Sequence, residues 1–344
     1  MTKQAFLDQH VVAKPFPSVI EIMRPFYEND WQSPSSPHLG GQKVLRKMQG
    51  CYESLYRQLE LDPTDTLVVT SSAAEAINHV TFVTYLNVTR PSGKNHFITS
   101  NVDEAPVIMS MERLFPLGCS CKMVKVDDFC TITPESLEET ISPRTALLSV
   151  SWANALTGVI QPIEELGAIC KDRGIIFHVD ASQVLGKLPF SLKDLPIDIL
   201  SFSSEAIHGP RGCAAVCFKQ ESLKKKSAEM GPFILGGKEQ GGWRAGSWDI
   251  GKMFALEDSL QQVLANSDYI GTEIVRLKFK FEEELKRNLS GVHVLFDESY
   301  RLPHICVLAF EGVDSDALLF ALSQHQVTAS LGGGSFQKLS LVLK

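Results

Sequence analysis

Along most of this chain, short apolar runs alternate with longer stretches in which apolar residues return every third or fourth position. From Thr66 onward the runs are LVVT (67–70), HFITS (96–100), MVKV (123–126), ALLSVS (146–151), IIFHVD (175–180), DILSFS (198–203) and CAAVCF (213–218). Runs of this length, bounded by polar or glycine residues, read as strands buried on both faces. Between them, 71–86, 105–118, 134–141 and 162–174 carry the helical period, with Thr133 as an N-cap and Gly174 as a stop. Strands alternating with helices predict a mainly parallel sheet covered on both faces. The close spacing of the last two strands predicts an antiparallel edge.

Both ends of the chain read differently. A helix is expected over 18–27, behind Pro15 and Pro17, and a second over 42–59, with Val44, Leu45, Met48, Tyr52, Leu55 and Leu59 on its apolar face. The turn-rich DWQSPSSPHLGG separates them. After Phe218 comes the glycine-rich ILGGKEQGGWRAGSWD, then helices over 250–265 and 267–289, a strand over 304–310 and a helix over 314–325. This divides the chain into a large domain, 15–250, and a smaller one made of 1–14 and 251–344.

Composition narrows the function classes. A chain of 344 residues can bury a large core, and its net charge of −7 argues against a nucleic-acid or anionic-membrane surface. The run Lys224–Lys226 is short and isolated and reads as a solvated loop. The eight cysteines show no disulfide framework, which fits a reducing compartment. Cys119-Ser-Cys121 lacks a second ligand pair at zinc spacing, so no metal is expected. There is no basic-then-apolar leader and no apolar run of membrane-spanning length, so a cytoplasmic protein is expected.

Polar residues at strand ends carry the candidate chemistry, because ligands of open α/β sheets bind there. Asp180 could hold a protonated pyridinium nitrogen, or equally cap the helix that follows it. Gln183 lies at the start of that helix, and Asn154 follows another strand. Thr70–Glu75 joins a third strand to a helix start, where backbone N–H groups can receive phosphate.

These pieces resemble the class V aminotransferase fold family, and the cysteine desulfurases within it. The resemblance rests on Pro34–Gly40, on Asn154, Gly158 and Gln161-Pro162-Ile163, on His178–Gln183, on Gly186-Lys187, on Ser203, on Gly209–Gly212 and on Arg244–Ser247. It implies the type I fold of pyridoxal phosphate (PLP)-dependent transferases, α/β, with a mainly parallel large-domain sheet and a smaller α/β domain. It also implies PLP as cofactor and a homodimer with shared sites. By resemblance Asp180 meets the ring nitrogen and Gln183 and Asn154 the ring oxygen. Ser203 and the Ala73-Ala74 helix start meet the phosphate, and Ser247 reaches the phosphate of a neighbouring subunit.

The departures fall on catalytic positions. Where the family has its Schiff-base lysine this chain has Ala206, which cannot bond a carbonyl or move a proton. The preceding histidine is Glu205, the ring-stacking histidine is Glu104, and a phosphate-binding threonine is Ala74. The sulfur-accepting cysteine is Ser335, whose hydroxyl scarcely ionises at neutral pH. Lys187 is expected on the surface, His208 in a structural role, and Trp152 and Trp243 in core packing.

The chain is therefore expected to be a catalytically impaired cysteine desulfurase-like paralogue. Its expected role is binding or scaffolding, with a sulfur-transfer or scaffold protein as possible partner. The alternatives are an active PLP-dependent desulfurase or related lyase, served by a different lysine, and an enzyme of changed chemistry using Glu104 and Glu205 as acid–base groups.

Overall fold

The computed structural model describes residues 4–10 and 12–333. Ser335 lies outside the described residues. Strand β1 (Ala5–Phe6) opens the described chain. The central sheet contains β2 (Thr66–Thr70), β3 (His96–Ser100), β4 (Ser120–Val124), β5 (Thr145–Ser151), β6 (Ile176–Asp180), β7 (Ile199–Ser203) and β8 (Ala214–Phe218). The short strands β9 (Val292–Val294), β10 (Leu308–Phe310) and β11 (Val327–Thr328) follow. The sheet runs in the order β2-β8-β7-β6-β5-β3-β4. The pairs from β7 through β4 are parallel, as the alternation predicts.

The antiparallel expectation needs correcting in place. β8 pairs antiparallel with both β7 and β2, so it lies one strand in from the edge. The tight turn after β7 returns the chain beside it, and β2 then adds to its far side. Gly209 makes that turn possible, since a Cβ there would lie 2.1 Å from the Ser204 hydroxyl. The outer edge of β2 is covered by one side chain. Gln240 donates through Nε2 to the Val69 carbonyl at 2.7 Å and accepts from the Val69 N–H at 2.7 Å.

Polar side chains inside the sheet are paired with one another. His178 bridges three strands, with Nδ1 2.7 Å from the Ser149 hydroxyl and Nε2 3.0 Å from that of Ser201. Burial drives its pKa down to about 3, so the bridging ring is neutral. Beneath the start of β6, Asp198 accepts from the Phe177 N–H, the Ser222 hydroxyl and the Lys226 ammonium at 2.6, 2.5 and 2.6 Å. Both charged side chains of that ion pair are buried, so Lys226 corrects the solvated loop expected over Lys224–Lys226, whose first two residues end the helix Gln220–Lys225.

Helix α1 (Pro17–Glu28) starts at a proline, and helix α2 (Leu39–Gln58) begins three residues before the expected Gln42 because the His38 ring caps it, accepting from the Gly41 N–H. Helix α3 (Ala73–Thr84) ends sooner than its apolar period suggests and passes into a π turn at Tyr85–Thr89. The helix Ile250–Ala265 matches its expected span. Its residues Met253, Leu256, Leu260 and Val263 lie in the same core as β5, β6 and β7. The expected division at 250/251 thus cuts a helix whose buried face belongs to the large body. Gly186 lets that helix approach, because a Cβ would lie 2.4 Å from Val263 and the backbone has φ +73°.

Residues 304–310 were expected as one strand, but only Leu308–Phe310 form one, paired with β9. The earlier residues pack on the large body instead. The Leu302 N–H donates to the Gly158 carbonyl at 2.8 Å, and Ile305 covers Gly158 so closely that a Cβ there would lie 2.9 Å away. β1 pairs in parallel with β11, which joins the N-terminal segment to the C-terminal part of the described chain. Trp152 packs on Phe190 and Trp243 on Phe218, with ring centroids 4.7 and 5.1 Å apart, so both tryptophans serve the packing assigned to them.

Removing Asp198 would strand the Lys226 ammonium in the core. Asp198→Ala is expected to destabilise the fold by about 3–5 kcal/mol, measured as a lowered denaturant midpoint. An unchanged midpoint would show that the pair contributes nothing.

Candidate functional site at the strand ends

The carboxyl ends of β2, β3, β5, β6 and β7 face one region, and each presents polar groups to it. β6 ends at Asp180. Its Oδ1 accepts from the backbone N–H and the hydroxyl of Ser182, at 2.9 and 2.6 Å. That hydroxyl in turn accepts from the Ser203 N–H at 2.9 Å, so the ends of β6 and β7 are tied together. One Asp180 oxygen is thus used to start the following turn, which leaves the other for a ligand. The expected helix after β6 is a run of turns instead, so Asp180 caps a turn and Gln183 stands in it rather than at a helix start.

Gln183 projects from the same turn. Its Nε2 donates to the His10 carbonyl at 3.2 Å, while Oε1 is sealed from solvent without a partner. Asn154 is more committed. Its Nδ2 donates to the Val102 carbonyl at 2.6 Å, and its Oδ1 accepts from the N–H groups of Leu156 and Thr157, each at 2.8 Å. These bonds hold the loop after β5 and leave Asn154 little capacity for a ring oxygen.

At the start of α3, Ser72 accepts from the Glu75 N–H at 3.2 Å. Glu75 reaches back to Ser71 and is paired with Arg244 at 3.0 Å. The first-turn N–H groups of Ala73 and Ala74 are the ones an anion would meet. Ser203 is buried, and Ser247 stands exposed on the glycine-rich loop.

Ala206 lies in the short turn Ser204–Ile207, 8% exposed, so its methyl is packed. The segment in front of α1 runs along this turn. The Ala13 N–H donates to the Glu205 carbonyl at 3.2 Å and the Phe16 N–H to the His208 carbonyl at 2.9 Å. His208 adopts φ +61°, stacks on Phe16 with ring centroids 4.7 Å apart, and contacts the Lys14 carbonyl through Nδ1 at 2.8 Å. These contacts give His208 the expected structural role.

Glu104 caps the helix Ala105–Glu112 by position, but its side chain makes no capping bond. Burial, Asp180 and Asp103 together push its pKa up to about 7. Burial also raises Asp180. Asp103 was not singled out in the sequence. It straps β3 to β5, accepting from the Thr99 hydroxyl and the N–H groups of Ser100 and Ser151 at 2.8, 2.7 and 2.6 Å. Its donors lie three and four residues back and on a neighbouring strand, so no local turn pattern marked it.

Lys187 corrects an expectation. It is half-buried rather than on the surface, and burial lowers its pKa to about 8. Two histidines that the sequence reading passed over, His10 and His304, interact electrostatically with it.

The sequence model described as aminotransferase class-V matches residues 5–341. The chain belongs to the class-V aminotransferase family. It is 28% identical over 327 residues to a cysteine desulfurase of Nostoc sp., covering 95% of this chain and 79% of that relative. It is 29% identical over 331 residues to one of Klebsiella pneumoniae, covering 96% and 80%. Among solved structures it is similar to a NifS-like protein, with TM-score 0.88 and 26% identity over 95% of this chain and 87% of that one. It is also similar to DndA from Streptomyces lividans, with TM-score 0.78 and 26% identity over 90% and 85%.

The family is PLP-dependent. The orphaned Gln183 Oε1, the Asp180 carboxyl and the α3 start suit the ring oxygen, ring nitrogen and phosphate of that cofactor. When bound, PLP supplies an electron sink. In this chain, Asp180 would hold the ring proton, the first-turn N–H groups of α3 would bind the phosphate, and Gln183 would orient the ring. The methyl of Ala206 offers the aldehyde no amine.

The raised Glu104 gives a test with a definite sign. The unfolded carboxyl loses its proton near 4.5 and the folded one near 7. Folded stability therefore falls as pH rises through that window. Glu104→Gln is expected to remove on the order of 2 kcal/mol of that loss. Denaturant midpoints of both proteins, measured at about pH 5 and about pH 8, should converge at the lower pH and separate at the higher. Parallel profiles would exclude a raised Glu104.

Proposed function

We propose that this chain is a cysteine desulfurase-like member of the family that has given up sulfur transfer and acts as a dimeric binding or scaffolding protein in the cytoplasm. The observation that carries this reading is Ala206, packed in the turn where the family's lysine stands. Desulfuration needs an amine there to exchange with the substrate and to move its protons. The surrounding substitutions follow the same direction. Glu104 brings a third carboxyl toward Asp103 and Asp180, where a stacking imidazole would otherwise cover the ring. By resemblance Glu205 stands where the family's histidine helps to hold the phosphate, and a carboxylate there would bring like charge to an anion.

What persists is what binding needs. Asp180, Gln183 and the α3 start keep groups suited to PLP held without a covalent bond. The exposed Ser247 loop supports a dimer in which each copy completes the other's phosphate site. The partner in this reading is a sulfur-transfer or scaffold protein that docks on the retained fold.

An active desulfurase would need an amine elsewhere and a sulfur acceptor other than Ser335. Purified protein supplied with PLP and L-cysteine is expected to release alanine only at the background rate of free PLP. Ala206→Lys alone is expected to leave it there, because Glu104, Glu205 and Ser335 remain. Turnover well above background in the unaltered chain would overturn the reading.

A further inference from the structure

The polar side chains that cross the sheet are closed on themselves at one level and open at the next. In the register of β5 and β6, Ser149 stands opposite His178 and Ser151 opposite Asp180. Alternate residues of a strand share a face, so Ser151 and Asp180 lie on the face where Ser149 and His178 are bonded, one step nearer the carboxyl ends. Ser149, His178 and Ser201 satisfy one another. The next level does not. Ser151 is 7% exposed, and its Oγ has no hydrogen-bond partner. Asp180 turns one oxygen to Ser182 and leaves the other unbonded among the described residues. Gln183, in the same turn, has its Oε1 buried and unpartnered.

A further carboxyl is brought to the same end. Asp103 Oδ1 accepts from the Ser151 N–H at 2.6 Å, which fixes the start of the helix Ala105–Glu112 against the end of β5. Glu104 stands at that start, half-buried, with no side-chain hydrogen bond or ion pair among the described residues. The unpartnered side-chain groups at this end of β5 and β6 are therefore all oxygens. Gln183 Oε1 and the ionised carboxyls of Glu104 and Asp180 can only accept, and the Ser151 hydroxyl can do either. Buried polar atoms are nearly always paired, so this set suits a ligand that carries N–H donors and positive charge. An aldehyde oxygen is an acceptor and would add to the excess. The proton that Glu104 keeps to about 7 stands in for the donor it lacks.

We propose that the strand-end site selects the amine form of the cofactor, pyridoxamine phosphate, over the aldehyde form, with Glu104 as the residue that reads the ammonium. The two forms share the ring and the phosphate, which Asp180 and the α3 start would meet in either case. They differ in one group, an ammonium with three donors in place of a carbonyl with none. The packed methyl of Ala206 gives the aldehyde nothing to bond. The ammonium instead offers Glu104 a counter-charge and the neighbouring oxygens a donor. Binding of this kind is non-covalent, so no bond forms or breaks.

This rests on the reading that the chain binds its cofactor without using it for sulfur transfer, and its test reads affinity rather than turnover. The full chain, freed of any bound cofactor by dialysis, is titrated by calorimetry with pyridoxamine phosphate, with PLP, and with pyridoxine phosphate, in which a hydroxyl replaces the amine. The amine form is expected to bind roughly ten-fold or more tightly than either of the others. Glu104→Gln should erase the margin over pyridoxine phosphate, and its retained binding of that alcohol would show the site to be intact. Asp180→Asn, which changes the group that meets the ring in every form, should weaken the amine and the alcohol alike and keep their ratio. Equal affinity for the amine and the alcohol, a margin that survives Glu104→Gln, PLP held as tightly as the amine, or no binding of any form would each overturn the proposal. Alanine release from L-cysteine above background would overturn the loss of sulfur transfer and leave the affinity ratio unaffected.

Discussion

A carboxyl withdrawn from water must find a cation, a set of N–H donors or a proton, and the strand ends of this protein are arranged around that requirement. Asp103 meets it with donors from Thr99, Ser100 and Ser151. Asp180 meets it in part through Ser182. Glu104 has neither, so it keeps its proton to near neutrality. The same rule operates below the sheet, where Asp198 gathers three donors, and within it, where neutral His178 joins Ser149 to Ser201. The fold is secured wherever the rule is met inside the chain. Chemistry remains available where it is not.

The parts of the fold legible in the sequence are those set by local period. The strands of the central sheet stand close to where the apolar runs place them, and Ile250–Ala265 coincides with its pattern. Errors arose where a tertiary contact overrode that period. Residues 304–307 have the alternation of a strand, yet they pack on Gly158 instead of pairing. The division at 250/251 followed a loop in the sequence, whereas the helix beyond it buries its face in the large core. The place of β8 inside the sheet depends on where β2 attaches, and no local signal carries that.

The site shows the same limit. The places of Asp180, Gln183 and the start of α3 after strand ends were legible because strand ends followed by turns are recognisable. Asn154 was legible as a position but not in its bonding, since its partners Val102, Leu156 and Thr157 are backbone groups brought there by the loop. Lys187 read as a surface residue because a Gly-Lys pair normally marks an exposed turn. Its partial burial comes from the folded chain around that turn, which the local sequence does not show.

Gln240 has a further consequence. Its amide makes the same pair of bonds to Val69 that a neighbouring strand would make, and it makes them one residue from the carboxyl end of β2. A side chain thus occupies the place where a second backbone would dock, and unpaired strand edges are the surfaces along which sheets join and aggregate. The sheet cannot be continued there from one copy to the next. Any assembly of this chain on that side would be built from loops and helices, and the glycine-rich loop that carries Gln240 is the stopper of the sheet there.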